Sequence, residues 1–395
     1  MSGIEGVKVV DLSHALAGPF CTMLLADLGA EVIKIEHPHG DHFRAAIDGG
    51  YNAAVNRNKR GICLDLKQDT AKEVVRQLIK RGDVVIESFT PGTIDRLGLG
   101  YEEAKKINPR IIFCSISGFG QTGPYRDLPG YDVIAQAMAG IMMCTGQPDG
   151  PPVRIGPSLI DIGAGMYTVI GIMQALMERE KTGVGQRIEV SLLETALSWM
   201  SPFIARYSMN GHLPERLGSA LAAFSPYQVY KAKDKYVFIG ASNERFWKAL
   251  CDALHLEHLL EDPGFSTMDQ RIERRSELNG IIEKALEEIN SVDELVDTLR
   301  EAGVPCSPVM TLAEILEDPH VKERGVLSPL NHLEYGPILQ TRTPIVRSGK
   351  MPEVRSGAPL LGQHTREVLA ELNYKDSEIE DLVSSGAAIP VKEKH

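Results

Sequence analysis

The sequence predicts an α/β protein whose large domain is an open, doubly wound, Rossmann-like parallel sheet, and three observations lead to this fold class. Short β-branched apolar runs alternate with helical patterns as far as Ile116. The first helical pattern has Pro19 at its start and Gly29 after its end, which makes the opening segment a compact βαβ unit. The chain has 395 residues, of which 43% are hydrophobic and 24% charged, as expected for a soluble protein of two or three domains.

Each predicted element follows from its local pattern. Apolar runs predict strands over residues 7–12, 31–35, 61–65, 83–87 and 110–116, and helical spacing predicts helices over 20–28, 70–80 and 101–107. Longer apolar patterns then predict helices over 133–143, 166–180 and 194–209, with a polar turn over 181–186. A strand over 236–240 and charged amphipathic helices follow, and a helix over 365–382 precedes a frayed tail over 387–395. The change in character predicts a large α/β domain over 1–200 and a small α+β domain over 218–325.

The charge and the cysteines exclude several classes of protein. The net charge of −11 and the pI near 5.5 argue against a nucleic-acid-binding surface, which needs a basic face. The six cysteines are scattered without a C-x-x-C pair, which indicates free thiols in a reducing compartment. The sequence has no secretion-signal pattern and no apolar run that approaches 18 residues. We therefore expect a protein of the cytoplasm or an organelle matrix that spans no membrane.

Asp161 is the residue that points most directly to chemistry. It lies among apolar residues and is followed by Gly163, Gly165 and a long apolar helical pattern. A carboxylate in such surroundings is costly unless it has partners. One interpretation is a helix N-cap, because Asp is among the best caps. The other is a nucleophilic carboxylate that a substrate approaches past the glycines. The local residues leave both interpretations open.

Two motifs suggest a cofactor site and a metal site, but the residues around each motif argue against that interpretation. Residues 118–123 match G-x-G-x-x-G, but Pro124 follows, so no helix can begin within the glycines to receive a pyrophosphate. We expect a loop near an active site and no dinucleotide. The spacing of His37, His39 and His42 fits no metal site, and we expect a solvated loop and no metal.

Polar groups also stand near the ends of predicted strands. His14 follows the first strand, where open α/β sheets place ligands, although a structural hydrogen bond is its more ordinary role. Arg57, Lys59, Arg60 and Lys67 flank the third strand. Each alone is a surface charge, but together they could hold phosphates.

Several segments resemble the class III CoA-transferase family, to which formyl-CoA transferase and carnitine CoA-transferase belong. The resemblance begins with Asp-Leu-Ser-His-Ala-Leu-Ala-Gly-Pro at 11–19 and continues in order along essentially the whole chain. Its other segments are 28–36, 58–60, 64–67, 88–92, 95–99, 118–124, 131–132, the run around Asp161, 181–186 and 359–365.

The resemblance implies a role for Asp161. In this family an aspartate attacks the thioester carbonyl of an acyl-CoA and forms an acyl-aspartyl anhydride. The CoA thiolate then returns to give an aspartyl-CoA thioester, from which CoA passes to an acceptor carboxylate. Asp161 would be this nucleophile, and the partners would be an acyl-CoA and a carboxylic acid. Coenzyme A is then a substrate, and no other cofactor or metal is implied.

The resemblance also implies a CoA pocket and an assembly. Carried over position by position, the pocket includes Ala15, Leu64, Lys67, Ser88, Phe89, Arg96, Leu97 and Tyr131. Lys67 and Arg96 would meet phosphates, and Phe89 and Leu97 the adenine region. The family further implies an interlocked homodimer, in which the C-terminal segment 335–395 returns to the large domain.

The chain departs from formyl-CoA transferase at three places. His37 stands where that enzyme has an arginine, and Leu16 replaces a glutamine near the acyl group. The glycine-rich lid expected ahead of the small-domain strand is missing, since residues 218–228 contain one glycine. The last two departures argue against formyl-CoA and oxalate. We expect a dicarboxylate pair, such as succinyl-CoA with a succinate-like acceptor.

Three alternatives belong to other functional classes. An α-methylacyl-CoA racemase shares the superfamily but needs a histidine where this chain has Tyr131, and a phenol with a pKa of about 10 is poorly suited to relay protons. A non-catalytic acyl-CoA-binding protein would leave Asp161 as a mere cap. An NAD-dependent dehydrogenase is the most distant alternative.

Overall fold

The structure is a computed structural model that describes residues 4–391. Within that range the chain divides into two compact units. Unit 1 comprises the described residues up to Ile141, Arg154–Gly211 and the described residues from Glu323 onward. Unit 2 comprises Met142–Val153 and His212–Lys322. The sequence did not suggest that the short segment Met142–Val153 belongs with unit 2.

The strands and helices of the described residues are these in chain order. The strands are β1 (Lys8–Leu12), β2 (Glu31–Glu36), β3 (Arg60–Cys63), β4 (Val84–Glu87), β5 (Ile112–Ser117), β6 (Arg187–Ser191), β7 (Tyr227–Lys231), β8 (Tyr236–Gly240), β9 (Cys306–Pro308), β10 (Leu327–His332) and β11 (Gly336–Thr341). The α-helices are α1 (Ala17–Asp27), α2 (Gly50–Val55), α3 (Asp69–Arg81), α4 (Thr93–Arg96), α5 (Tyr101–Ile107), α6 (Asp132–Met138), α7 (Leu159–Thr182), α8 (Leu192–Trp199), α9 (Ser201–Asn210), α10 (Glu244–Ala253), α11 (His258–Glu261), α12 (Met268–Glu273), α13 (Arg275–Glu287), α14 (Val292–Glu301), α15 (Leu312–Glu317), α16 (Pro319–Arg324), α17 (Thr365–Glu371) and α18 (Asp376–Ser384).

Unit 1 is built on a parallel sheet, which confirms the predicted fold class. Within residues 4–391 the sheet has six strands in the order β3-β2-β1-β4-β5-β6, and every neighbouring pair is parallel. Val10 of β1 lies between Ile33 of β2 and Val85 of β4. The chain therefore reverses its direction of winding between β1 and β4, and this junction positions the site described below.

Apolar side chains from the sheet and its helices form the core of unit 1. The helix α3 shows how the sequence produces it, because its buried residues recur at helical spacing: Ala71, Val74, Val75, Leu78 and Ile79. They pack with strand residues such as Ile35 and Val85. Helix α1 contacts β1, β2 and β4, whereas α7 contacts β5, β6 and α1.

Unit 2 has a core and a sheet of its own. The antiparallel strands β7, β8 and β9 form the sheet, and α10, α13 and α14 contribute the buried residues Trp247, Leu250, Ile282, Leu286 and Leu299. A separate antiparallel hairpin, β10–β11, belongs to unit 1.

Two predicted helices are each divided in the structure. The predicted helix 194–209 is split into α8 and α9, because Pro202 lacks the N–H that a continuous helix would need. The predicted helix 365–382 is split into α17 and α18, with Asn373 between them at a left-handed φ of 69°.

The prediction that the tail is frayed is wrong for residues 387–391, the part that the structure describes. Ala387 and Ala388 are fully buried, and Ala388 forms a bridge with Leu64. The Ile389 N–H donates to the Cys63 carbonyl over 2.9 Å. The segment therefore extends the free edge of β3, whose backbone groups need partners. Residues 392–395 lie outside the described part.

Helix α7 has the length and apolar composition of a membrane-spanning segment, with a mean hydropathy of 1.5 over its most apolar window. The central helix of an α/β domain passes the same test. Residues Ile160, Ala164, Ile172 and Ala175 of α7 are buried within the fold.

Candidate active site

The loops after β1 and β4 meet where the strand order reverses. The His14 N–H donates to Ser88 Oγ over 2.9 Å, and the same oxygen lies 3.2 Å from His14 Nδ1. Burial lowers the pKa of His14, so its imidazole is neutral near pH 7. The residue therefore has both the structural hydrogen bond expected of it and a position at the ligand-binding edge of the sheet.

Ala15 adopts a left-handed backbone conformation next to His14. Its φ of 61° is uncommon for a residue with a Cβ. The Ala15 N–H donates to Asp41 Oδ2, and Asp41 Oδ1 accepts from the Phe43 N–H, each over 2.9 Å. Asp41 thus fixes the strained loop after β1, as is common where a backbone lines a ligand site.

Three of the four cations near the third strand are engaged in ion pairs with other side chains of the fold. Lys59 and Arg57 are buried in ion pairs with aspartates. Arg60 lies at the amino end of β3 and pairs with three glutamates. The prediction that these three help to hold phosphates is therefore wrong. A parallel sheet binds ligands at the carboxyl ends of its strands, and only Lys67 follows the carboxyl end of β3.

Asp161 lies in the first turn of α7. The helix begins at Leu159, seven residues before its predicted start, and Ser158 occupies the N-cap position. The interpretation of Asp161 as the N-cap is therefore wrong. Its carboxylate projects from the third residue of the helix, where an anion is favoured by the helix dipole.

Asp132 binds the N–H groups that begin α7. Its Oδ2 accepts from the N–H groups of Ile160 at 2.7 Å and Asp161 at 3.3 Å, and its Oδ1 accepts from Gln136 Nε2 at 2.5 Å. Gln136 Oε1 in turn accepts from the Ile155 N–H at 2.9 Å. Both side chains are buried, so this network fixes the backbone at Asp161 through hydrogen bonds that water does not weaken.

The same arrangement perturbs the carboxylate of Asp161. Burial raises the pKa of Asp161 to about 7, and the negative charge of Asp132 adds to the rise. A carboxylate that is costly to ionise and poorly solvated is more reactive than one in water. Perturbed groups of this kind concentrate at functional sites.

The glycines after Asp161 serve helix packing. A Cβ on Gly163 would lie 2.2 Å from Trp199 Cζ2, and one on Gly165 would lie 2.7 Å from the Ala17 carbonyl oxygen. Their missing side chains let α8 and α1 approach α7. The interpretation that these glycines admit the substrate is therefore wrong.

Two cavities lie at this edge of the sheet, and His14 lines both. The first, called here the Asp161 cavity, has a volume of about 290 Å³. The second, called the Lys67 cavity, has a volume of about 410 Å³. His14 is therefore shared by the cavity that contains Asp161 and the cavity that contains Lys67.

The cavities separate the residues of the implied CoA pocket into two groups. Those in the Asp161 cavity are Ala15, Ser88 and Tyr131, and Leu16 lines it as well. Those in the Lys67 cavity are Leu64, Lys67, Phe89 and Leu97, and His37 joins them. Arg96 lines neither cavity. It is exposed beside Leu97 and donates to Thr93 Oγ1 over 2.8 Å.

The loop with the G-x-G-x-x-G pattern borders the Asp161 cavity. Gly118 and Gly130 line it, and a Cβ on Gly118 would lie 2.6 Å from the Gly130 Cα. The next helix, α6, begins only at Asp132, so no helix starts within residues 118–123. The glycines permit two backbone segments to meet at the cavity wall.

Sequence reasoning missed Asp132 and Arg154, which line the Asp161 cavity, and Gln136, which binds Asp132. Asp132 and Gln136 are four residues apart, which places them on one face of α6, but their bonds to Ile155 and Ile160 depend on tertiary structure. Arg154 also lines the cavity. Its only sequence signal is that it is the one Lys or Arg between Arg126 and Arg179.

The comparisons with known proteins identify the family. The sequence model of CoA-transferase family III matches residues 4–365, which is most of the chain. The chain belongs to CoA-transferase family III. This confirms the resemblance seen in the sequence, and the chain is an enzyme of that class.

Two named relatives and one solved structure illustrate how close this CoA-transferase is to known proteins. It is 38% identical over 397 residues to the succinyl-CoA:glutarate CoA-transferase of Mus musculus, covering 98% of this chain and 90% of that enzyme. It is 40% identical over 367 residues to the acetyl-CoA:oxalate CoA-transferase of Acetobacter aceti, covering 91% and 93%. The crystal structure of a CAIB/BAIF family protein from Brucella suis matches with a TM-score of 0.86 and 38% identity, covering 94% of this chain and 99% of that one.

Proposed function

We propose that this CoA-transferase moves CoA from a dicarboxylic acyl-CoA, such as succinyl-CoA, to a free dicarboxylate through a covalent intermediate on Asp161. The observation that carries the proposal is the perturbed carboxylate of Asp161 in a cavity that shares His14 with a second, larger one. The relatives described above are named for the donors succinyl-CoA and acetyl-CoA and for the acceptors glutarate and oxalate, and both acceptors are dicarboxylic.

The chemistry proceeds by exchange of acyl groups. The Asp161 carboxylate attacks the thioester carbonyl and expels CoA thiolate, which leaves an acyl-aspartyl anhydride. The thiolate attacks the aspartyl carbonyl and releases the first acid, which leaves an aspartyl-CoA thioester. The acceptor carboxylate repeats these two steps in reverse order and leaves as the new acyl-CoA, with Asp161 regenerated. A carboxylate needs no general base for this attack, so we propose no further cofactor.

The Lys67 cavity is the proposed site of the CoA moiety. Leu64, Phe89 and Leu97 provide apolar contacts for the adenine and the pantetheine chain, and Lys67 provides charge for phosphate. Arg96, on the exposed surface beside Leu97, is placed to reach a phosphate outside the cavity. The thioester would then pass His14 and meet Asp161.

Backbone and phenol groups are proposed to stabilise the oxyanions. Gly118 and Gly130 line the Asp161 cavity with bare backbone, and Tyr131 offers a hydroxyl in the same cavity. Preorganised donors of this kind stabilise the charge that develops on the attacked carbonyl oxygen.

We further propose that the enzyme is a homodimer, interlocked as in its family. In unit 1, α7 and α9 leave large apolar side chains exposed, among them Ile170 at 61%, Met177 at 67% and Met209 at 83%. Monomeric proteins rarely expose apolar surface on this scale, and a partner subunit would cover it. Sedimentation should give a dimer at micromolar concentration. A folded, active monomer would refute the proposed assembly.

A donor and acceptor screen tests the proposed reaction. Mass spectrometry should detect new acyl-CoA products when succinyl-CoA is incubated with a library of carboxylic acids. Asp161→Ala should abolish turnover and retain CoA binding, whereas the exposed Asp149→Ala should keep full activity. If Asp161→Ala still transfers CoA, the proposed mechanism is wrong. If the wild type only binds acyl-CoA, the protein is a binder.

A further inference from the structure

Arg154 brings a positive charge into the Asp161 cavity. Of the described residues that line this cavity, Arg154 is the one Lys or Arg, and His14 is neutral because burial lowers its pKa. The cavity also contains two carboxyl groups, those of Asp132 and Asp161. A substrate with two carboxylates would be repelled by these groups unless a cation lay near its path.

The backbone on both sides of Arg154 is fixed. The Ile155 N–H donates to the fully buried Gln136, which is bonded to Asp132. Pro152 and Pro157 restrict the chain before and after Arg154, and α7 begins at Leu159. The network that positions the nucleophile thus also positions the residue next to Arg154.

The location of Arg154 separates it from the proposed CoA phosphates. It lines the Asp161 cavity and is absent from the lining of the Lys67 cavity, which has Lys67 and Lys34. Arg154 is exposed and lines the same cavity as Asp161, which is where the proposed function places the acyl group and the acceptor acid. Its planar set of N–H donors matches a carboxylate in a two-point contact.

We propose that Arg154 binds the distal carboxylate of the dicarboxylic substrates and sets the preference of the enzyme for dicarboxylic over monocarboxylic acids. The inference rests on the proposed function of the Asp161 cavity. The reacting carboxyl group lies at Asp161, and the second carboxylate of the same molecule meets Arg154. The donor acyl group and the acceptor acid occupy this position in turn.

The test compares two acceptors that differ only in the distal group. Glutarate and pentanoate have chains of equal length, and only glutarate carries a second carboxylate. Because the reaction passes through a covalent enzyme intermediate, kcat/KM for the acceptor does not include binding of the donor. We expect wild type to prefer glutarate over pentanoate by about 10- to 100-fold, the value of one charge-assisted hydrogen-bond contact.

Arg154→Gln should lower kcat/KM for glutarate by that factor and leave pentanoate nearly unchanged, while Arg154→Lys should retain part of the preference. Arg110→Gln is the matched control, because Arg110 is an exposed arginine before the amino end of β5. An unchanged preference for glutarate in Arg154→Gln, or an equal loss of kcat/KM for both acids, would overturn the inference about Arg154 but not the dicarboxylate proposal. A wild-type enzyme that uses pentanoate as well as glutarate would overturn both the inference and the dicarboxylate proposal.

Discussion

Replacing Asp161 by Asn should stabilise the protein at alkaline pH and have little effect on its stability at acidic pH. The folded protein holds this carboxylate with a pKa of about 7, against 3.8 for an ordinary aspartate, first because of burial and second because of Asp132. Ionising Asp161 therefore opposes folding. The amide of Asn is similar in size and carries no charge.

The sign and the size follow from proton linkage. Between pH 3.8 and about 7 the folded state holds a proton on Asp161 that the unfolded state releases, so stability falls as the pH rises through this window. Above pH 7 both states are ionised, and the full penalty of about 4 kcal/mol applies to wild type. The Asp161→Asn variant does not incur this penalty, because its side chain carries no charge. For a chain of 395 residues the difference corresponds to a rise in Tm of about 5 °C.

Thermal unfolding at pH 5 and pH 8 measures the effect. The difference in Tm between Asp161→Asn and wild type should be small at pH 5 and reach its full value at pH 8. Asp149→Asn, which changes an exposed aspartate, should show no such pH dependence. A variant that is less stable than wild type at pH 8, or equally stabilised at both pH values, would refute the account of the site's electrostatics.

Four further predictions concern the reaction and the packing around it. The transfer rate should rise with pH through about 7 as Asp161 ionises, and Asp132→Asn should move the midpoint to lower pH because it removes the neighbouring charge but keeps an oxygen acceptor. Tyr131→Phe should slow transfer about 10²- to 10³-fold if its hydroxyl serves an oxyanion. Wild type in D₂O should incorporate no α-deuterium into a 2-methylacyl-CoA, since rapid exchange would indicate a racemase. Gly163→Ala should cost about 1–3 kcal/mol of stability in denaturant titrations, because its Cβ would meet Trp199, whereas Gly280→Ala, with open space around it, should not destabilise.

The parallel sheet could be predicted because the residues of its inner strands form a pattern that is recognisable from local sequence. Runs such as 31–35 and 83–87 are apolar and β-branched, and glycine or proline separates them from their helices. The edge strand β6 gave no such signal. Its residues Arg187–Ser191 alternate polar and apolar side chains, as suits a strand at the edge of the sheet.

The position of Asp161 in the site could be predicted from the family resemblance, but its physical environment could not. Gly163 and Gly165 suggested that α7 starts later, because glycine disfavours helices when only local residues are considered. The tertiary contacts with Trp199 and Ala17 override that preference. The role of Asp132 depends on hydrogen bonds to a segment 28 residues away, which no local pattern contains.

The cations near β3 show a second reason why the site could not be predicted fully from the sequence. Arg57, Lys59, Arg60 and Lys67 are close in sequence, and their number suggested a phosphate site. Whether each cation can bind a ligand depends on which end of the strand it occupies and on buried aspartates elsewhere in the chain. Only the position of Lys67, after the carboxyl end of β3, matches the edge where a parallel sheet binds ligands.

Trapping of the acylated enzyme tests the central claim most directly. The enzyme would be incubated with succinyl-CoA, quenched with hydroxylamine and digested for peptide mass spectrometry. Hydroxylamine attacks both an acyl-aspartyl anhydride and an aspartyl thioester, and the account predicts a hydroxamate at Asp161 in the wild type alone. An unmodified Asp161 peptide from an enzyme shown to be turning over, or a hydroxamate at another carboxylate, would contradict it.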